Sequence, residues 1–128
     1  MYSVIIRMRN EEKHIGQAIQ SCIDYLENPE IIIVNNNSSD KSVYICRLFI
    51  SNTNLESESK QNYCNLKIID IKDYTPGKAL NLGADECSNE NILILSSHCT
   101  LSSFNDDYII DKLNTYDAIF GKQVPIYE

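Results

Sequence analysis

Two kinds of hydrophobic run alternate along this chain. Four short aliphatic stretches recur: SVIIRM (3–8), EIIIVN (30–35), LKIIDI (66–71) and NILILS (91–96). Each has strand length and places Ile, Val or Leu on consecutive positions, the pattern of a strand covered on both faces. Between them the period lengthens. In KHIGQAIQSCIDYLE (13–27), Ile15, Ala18, Ile19, Cys22, Ile23 and Leu26 fall on one helix face.

A second helix is expected near Asp40, with Ser39 or Asp40 as N-cap and Val43, Cys46, Phe49 and Ile50 turned inward. It runs into NTNLESESKQNYCN (52–65), whose low apolar content reads as a solvated loop or frayed helix end. A third helix is expected from Gly77 or Lys78, carrying Leu80, Ala84 and Cys87. Gly83 inside it costs about 1 kcal/mol against alanine, which points to close packing. FNDDYIIDKLN (104–114) reads as a fourth helix and AIFGKQVPIY (118–127) as a last extended run.

Strands alternating with helices in this way predict an α/β fold built on a parallel sheet, with right-handed crossovers. No internal repeat is visible, and 128 residues make one domain's worth, so residues 1–128 are expected to form a single domain. The net charge of -7, from 18 acidic and 11 basic residues, argues against a nucleic-acid partner. It leaves room for a small phosphorylated ligand, which a few basic side chains or a helix N-terminus can hold.

The five cysteines, an odd number without CxxC spacing, read as reduced thiols of a cytosolic protein, several on apolar helix faces. MYSVIIRMRNEE lacks the basic leader and long apolar run of a signal peptide. No segment reaches the roughly 20 apolar residues that cross a bilayer.

In an open parallel sheet, ligands bind beyond the carboxyl ends of the strands. Polar clusters stand at all four predicted ends: RMRNEE (7–12), NNNSSD (35–40), Lys72–Asp73–Tyr74, and Ser96–Ser97–His98–Cys99. Taken alone, NNNSSD reads more readily as a capping turn than as a site, and Arg7 and Arg9 read as well as solvated edge charges. Their conjunction with His98 and the TPGKALNLG segment is what suggests a site.

These residues also carry a resemblance. VIIRMRNEEKHI is similar to the first strand and turn of the family 2 inverting glycosyltransferases, which use the GT-A fold and carry N-E-E there. VNNNSSD resembles that family's V-D-(D/S)-G-S-T-D, GKALNLGAD its (K/R)-x-x-A-L-N segment, and ILILSSHC the strand ending in its D-x-D metal motif. The resemblance implies a GT-A, Rossmann-like parallel sheet with flanking helices, cut short after the metal-motif region.

It further implies a nucleotide-sugar site at Arg7, Arg9, Asn10, Glu11, Asn35, Asn36, Lys78, Ser96 and Ser97, with His98 as the candidate metal residue. Arg9 stands where many relatives have a base-stacking tyrosine, and Asn35 and Asn36 where they have an aspartate facing base or ribose. Lys78 matches a basic residue near the diphosphate. Ser96–Ser97–His98 replaces the D-x-D motif, so the family's Mg²⁺ or Mn²⁺ would have one imidazole and hydroxyls in place of two carboxylates. His98 then either binds a metal weakly, donates directly to phosphate, or is structural. Subgroups resembling rhamnosyltransferases and capsular-polysaccharide transferases carry a similar S-x-H.

The family's acceptor site and catalytic carboxylate lie downstream of the matched motifs, so no catalytic base is assigned. The expected function is donor binding for a cytoplasmic glycosyltransferase, at the inner face of a membrane or free of it, that moves a sugar with inversion to a glycan or lipid-linked acceptor. The alternative is a catalytically inert GT-A-like module that binds a nucleotide or a partner.

Overall fold

A computed structural model of the chain describes residues 1–53 and 64–127. Among these, four strands, β1 (Tyr2–Met8), β2 (Glu30–Asn35), β3 (Asn65–Asp70) and β4 (Asn91–Ile94), alternate with α1 (Ile15–Tyr25), α2 (Ser42–Thr53), α3 (Pro76–Asp85) and α4 (Asp106–Leu113). The strands form one parallel sheet in the order β3-β2-β1-β4.

That order puts the two most aliphatic strands in the middle. Every residue of β2 is buried, as is every residue of β1 except the half-buried Arg7. On one face Val4, Ile6, Met8, Ile31 and Ile33 pack against Ile15, Ile19, Cys22 and Ile23 of α1 and Cys46 of α2. On the other, Ile5, Ile32 and Val34 meet Ala79 of α3. Alternation along each strand thus feeds two separate cores.

All six residues expected on the inner face of the first helix are buried. α2 starts at Ser42, whose N–H donates to the Asp40 carboxylate at 2.9 Å, and buries Cys46, with Val43, Phe49 and Ile50 packed alongside. The polar stretch read as a loop lies, over residues 54–63, outside the described residues. The cysteines are free thiols, and burial pushes Cys22 and Cys46 up to about 12 and Cys64 up to about 11.

Three expectations change. α3 begins at Pro76, with Thr75 as N-cap accepting the Lys78 N–H at 3.2 Å, and buries Ala79 and Gly83, one helical turn apart, while Ala84 faces outward. The fourth aliphatic run is not covered on both faces: α3 packs mainly on β1 and β2, and at the sheet's edge Ile92 is 42% and Ile94 54% exposed. Residues 118–127 form no strand. They are exposed, and no described strand runs beside them to supply hydrogen-bond partners.

Gly83 is where α3 touches the sheet most closely. A Cβ there would lie 2.7 Å from Ile5 Cγ2 and 3.3 Å from two further Ile5 carbons. Ile5 is 1% exposed and has nowhere to move. The close approach outweighs the gain of about 1 kcal/mol in helix propensity. Gly83→Ala is therefore expected to lower stability by about 1–2 kcal/mol in urea unfolding.

At the amino end of the sheet, Glu30 is buried yet fully partnered. Its carboxylate accepts from the Ser3 hydroxyl, the Ser88 N–H and the Ser88 hydroxyl, each at 2.7 Å, and Asn89 donates to Ser3. Burial by itself raises the carboxyl, but the Ser88 and Ser3 hydrogen bonds and the Lys67 charge outweigh it and hold Glu30 below the usual carboxylate range. A folded-state value below the unfolded one contributes stability above the unfolded value, near 4.3, and loses it as pH falls through the folded value. Glu30→Gln should cost about 2 kcal/mol at pH 7. The gap between wild type and variant should shrink below about pH 4 in urea titrations.

Candidate functional site

The polar cluster after β2 serves first as mortar. Asn36 N–H donates to Met8 O at 2.8 Å, continuing the β1–β2 ladder past its last residues. Beyond it the loops after β1 and β2 exchange bonds in both directions. Asn10 N–H donates to Ser38 Oγ at 3.0 Å, Glu11 N–H to Ser42 Oγ at 2.7 Å and Glu12 N–H to Asp40 Oδ2 at 3.1 Å. In return Asn10 Oδ1 accepts from Ser39 N–H at 2.7 Å, and Glu12 Oε2 from Lys41 N–H at 3.1 Å. Short acceptors at 38, 40 and 42 suit this lacing because they reach a neighbouring backbone and no farther.

Backbone shape explains the asparagines. Asn10, Asn37 and Asp73, all at the carboxyl rim, have φ of 52°, 51° and 53°. Asn and Asp tolerate this left-handed region better than other residues with a side chain. The hydrogen bonds to Asp40 from Ser42 and Glu12 also hold its carboxyl below the usual range, although desolvation acts against them.

An open hollow of about 430 Å³ lies within this rim, lined by Arg7, Met8, Arg9, Glu11, Asn36, Tyr74, Ser96, Ser97 and His98. Of the residues proposed from sequence, it gathers Arg7, Arg9, Glu11, Asn36, Ser96, Ser97 and His98. Asn10, Asn35 and Lys78 do not line it. Asn10 is spent on the loop lacing. Asn35 is buried, donating through Nδ2 to Asp70 at 2.9 Å and accepting the Ser38 N–H at 3.2 Å. Lys78 turns its ammonium back onto the Lys72 carbonyl, with Asp73 O at 3.5 Å, and so closes the loop between β3 and α3.

Two lining residues escaped the sequence reading. Met8 faces the core by strand alternation and is buried, and it borders the hollow only as the last residue of β1. Tyr74 was visible as part of a polar strand end, but its ring, half-buried against the α3-side core, lines the hollow beside the charged groups.

Chemically the hollow combines two guanidiniums, an imidazole, two hydroxyls, an amide, one carboxylate and one aromatic ring. Among the described residues neither Arg7 nor Arg9 is taken up in an ion pair. Guanidiniums with hydroxyl and imidazole donors are an anion-receptive set. As a cation site the same residues are poor. Among the described residues no three His, Cys, Asp or Glu side chains converge.

A parallel α/β sheet with an anion-receptive hollow at the carboxyl ends of its strands is common to several nucleotide-binding folds, and the family match and the solved structures it aligns with make this one GT-A. The chain belongs to glycosyl transferase family 2, whose sequence model matches residues 3–127. It is 28% identical over 120 residues to a dolichyl N-acetyl-alpha-D-glucosaminyl phosphate 3-beta-D-2,3-diacetamido-2,3-dideoxy-beta-D-glucuronosyltransferase of Methanococcus voltae, covering 91% of this chain and 34% of that protein. Over 98 residues it is 31% identical to the minor teichoic acid biosynthesis protein GgaA of Bacillus subtilis (strain 168), covering 73% of this chain and 20% of the relative.

The chain therefore spans about a third or less of the curated relatives it matches. Among solved structures, S. aureus TarS 1-349 in complex with UDP aligns over 98% of this chain and 38% of its own, at a TM-score of 0.70 and 20% identity. The same protein in complex with UDP-GlcNAc aligns at a TM-score of 0.65.

If the loop lacing holds the rim together, Asn10→Ala should cost about 1–2 kcal/mol, from lost hydrogen bonds and a strained positive φ. Asn10→Gly keeps the φ and should cost less. Both should speed amide hydrogen exchange at Ser39 and Asp40.

Proposed function

We propose that this chain is the donor-binding part of an inverting glycosyltransferase that builds a surface polysaccharide or related glycan. The observation that carries the reading is the convergence of Arg7, Arg9 and His98 with Asn36 and Tyr74 in one hollow of a family 2 chain. The teichoic acid and dolichyl phosphate names of its relatives support a polymeric or lipid-linked acceptor. The TarS complexes make UDP-sugars the first donors to test. The S-x-H of Ser96–Ser97–His98 favours the rhamnosyltransferase and capsular-polysaccharide subgroup. Cytoplasmic nucleotide sugars would reach it at, or near, the inner face of the membrane; among the described residues no helix is long and apolar enough to cross one.

The reaction is a direct displacement. An acceptor hydroxyl attacks the anomeric carbon from the face opposite the leaving group, its proton passes to a general base that is not among the residues of this hollow, the carbon–oxygen bond to the diphosphate breaks, and the anomeric configuration inverts. Negative charge grows on the departing oxygen, and preorganised cations that meet it stabilise the transition state more than the ground state. Arg7 and Arg9 supply that charge, and His98 donates to a phosphate oxygen. Mg²⁺ and Mn²⁺ favour several hard oxygen ligands, a set that one imidazole and two hydroxyls do not make. No step is assigned to a metal.

Calorimetry and thermal shift with UDP-, GDP-, dTDP- and CMP-sugars test this. At a hundredfold excess over Kd, a bound donor should stabilise the fold by about 2.7 kcal/mol, a melting shift of several degrees. Arg9→Ala and His98→Ala should each weaken binding about tenfold, and EDTA should leave it unchanged. A flat panel across all four donors rejects donor binding and favours an inert module.

A further inference from the structure

Sheet topology sets an order along the rim. Tyr74 follows β3, Asn36 follows β2, Arg7 and Arg9 stand at the end of β1, and Ser96–His98 follow β4. With strands β3-β2-β1-β4 side by side, the hollow runs from an aromatic ring and an amide, across two guanidiniums, to hydroxyls and an imidazole. At roughly 4.8 Å per strand this spans about 14 Å, room for a base, a ribose and a diphosphate laid in sequence.

Resting on the donor-site reading above, we propose that Tyr74 is the platform on which the nucleotide base stacks, with the base over the β3–β2 end of the hollow. Tyr74 is the single aromatic residue among those lining the hollow. Its ring is backed by the apolar cluster of Ile5, Ile32, Val34, Ile71 and Ala79, so it is a firm wall. A planar base gains more from such a face than from flexible cationic side chains in water, and stacking tolerates any base. Asn36, on the neighbouring strand end, offers both a donor and an acceptor to the base edge.

The loop that carries Tyr74 is closed by its own neighbours. Asp73 sits at a φ of 53°, Thr75 caps α3, and the Lys78 ammonium holds the carbonyls of Lys72 and Asp73. Lys78 is therefore a positioning residue, acting on the nucleotide through Tyr74.

The test splits the ligand. Binding to wild type and variants is measured for whichever of UDP, GDP, dTDP and CMP binds wild type most tightly, for its free nucleoside, and for inorganic pyrophosphate. Tyr74→Ala and Tyr74→Leu should lose about tenfold in affinity for nucleotide and nucleoside, leave pyrophosphate within about twofold, and abolish the upfield ring-current shift of the base protons. Tyr74→Phe should retain all three. Lys78→Ala should show the Tyr74→Ala pattern, and the double variant should bind no more weakly than Tyr74→Ala alone.

Unchanged nucleotide binding by Tyr74→Ala, or an equal loss of pyrophosphate in both Tyr74→Ala and Tyr74→Leu, overturns the assignment while the donor site stands. Wild-type protein that binds none of the four nucleotides overturns the donor-site reading and this proposal together.

Discussion

The structure depends on the pairing of β1 with β2. Six consecutive residues match in register, from Ser3 against Glu30 to Met8 against Asn35, in strands buried on both sides. A slip of one residue would turn every aliphatic side chain to the wrong core, so the register is strongly specified. Because the two strands stop together, the chain leaves both at the same height and the following loops meet at once. The Asn36–Met8 hydrogen bond and the lacing around Asn10 follow from that shared ending. With β3 and β4 parallel on either side, every strand delivers its polar tail to one rim.

The parts of the fold governed by period were legible from residue patterns alone. Alternating aliphatic and amphipathic runs located the four strands and the first helix, and the inner face of α1 matched residue for residue. What periodicity cannot report is which surface a face meets. Ile92 and Ile94 look as buried as Ile31 and Ile33 until the sheet order sets them on an edge, beside the β1 and β2 surface that α3 mainly covers. Ala79 and Ala84 differ in burial because five residues of helix set them about 140° apart around the axis of α3, on different faces.

The site was legible as a region and less so as individual contacts. Asparagine, serine and lysine use the same atoms to close a loop and to hold a ligand. Asn35 and Lys78 are engaged by Asp70, Lys72 and Asp73, partners that become neighbours only after folding. Arg7, Arg9 and His98 stand in the hollow for a simple reason: Arg7 and Arg9 flank the last residue of β1, and His98 lies in the loop that follows β4. On the donor-site reading proposed above, this set of donors has a chemical purpose. Burial in the two cores gives it a rigid base, so the rim can be polar without being loose.

The two margins of the sheet differ in character. β3 presents Asn65, Lys67 and Asp70 to solvent, and lysine on a margin discourages further pairing. β4 presents Ile92 and Ile94, with nothing charged between them. The first margin is finished; the second remains adhesive. Any growth of this sheet is thereby channelled in one direction, away from the Tyr74 end of the rim and past His98.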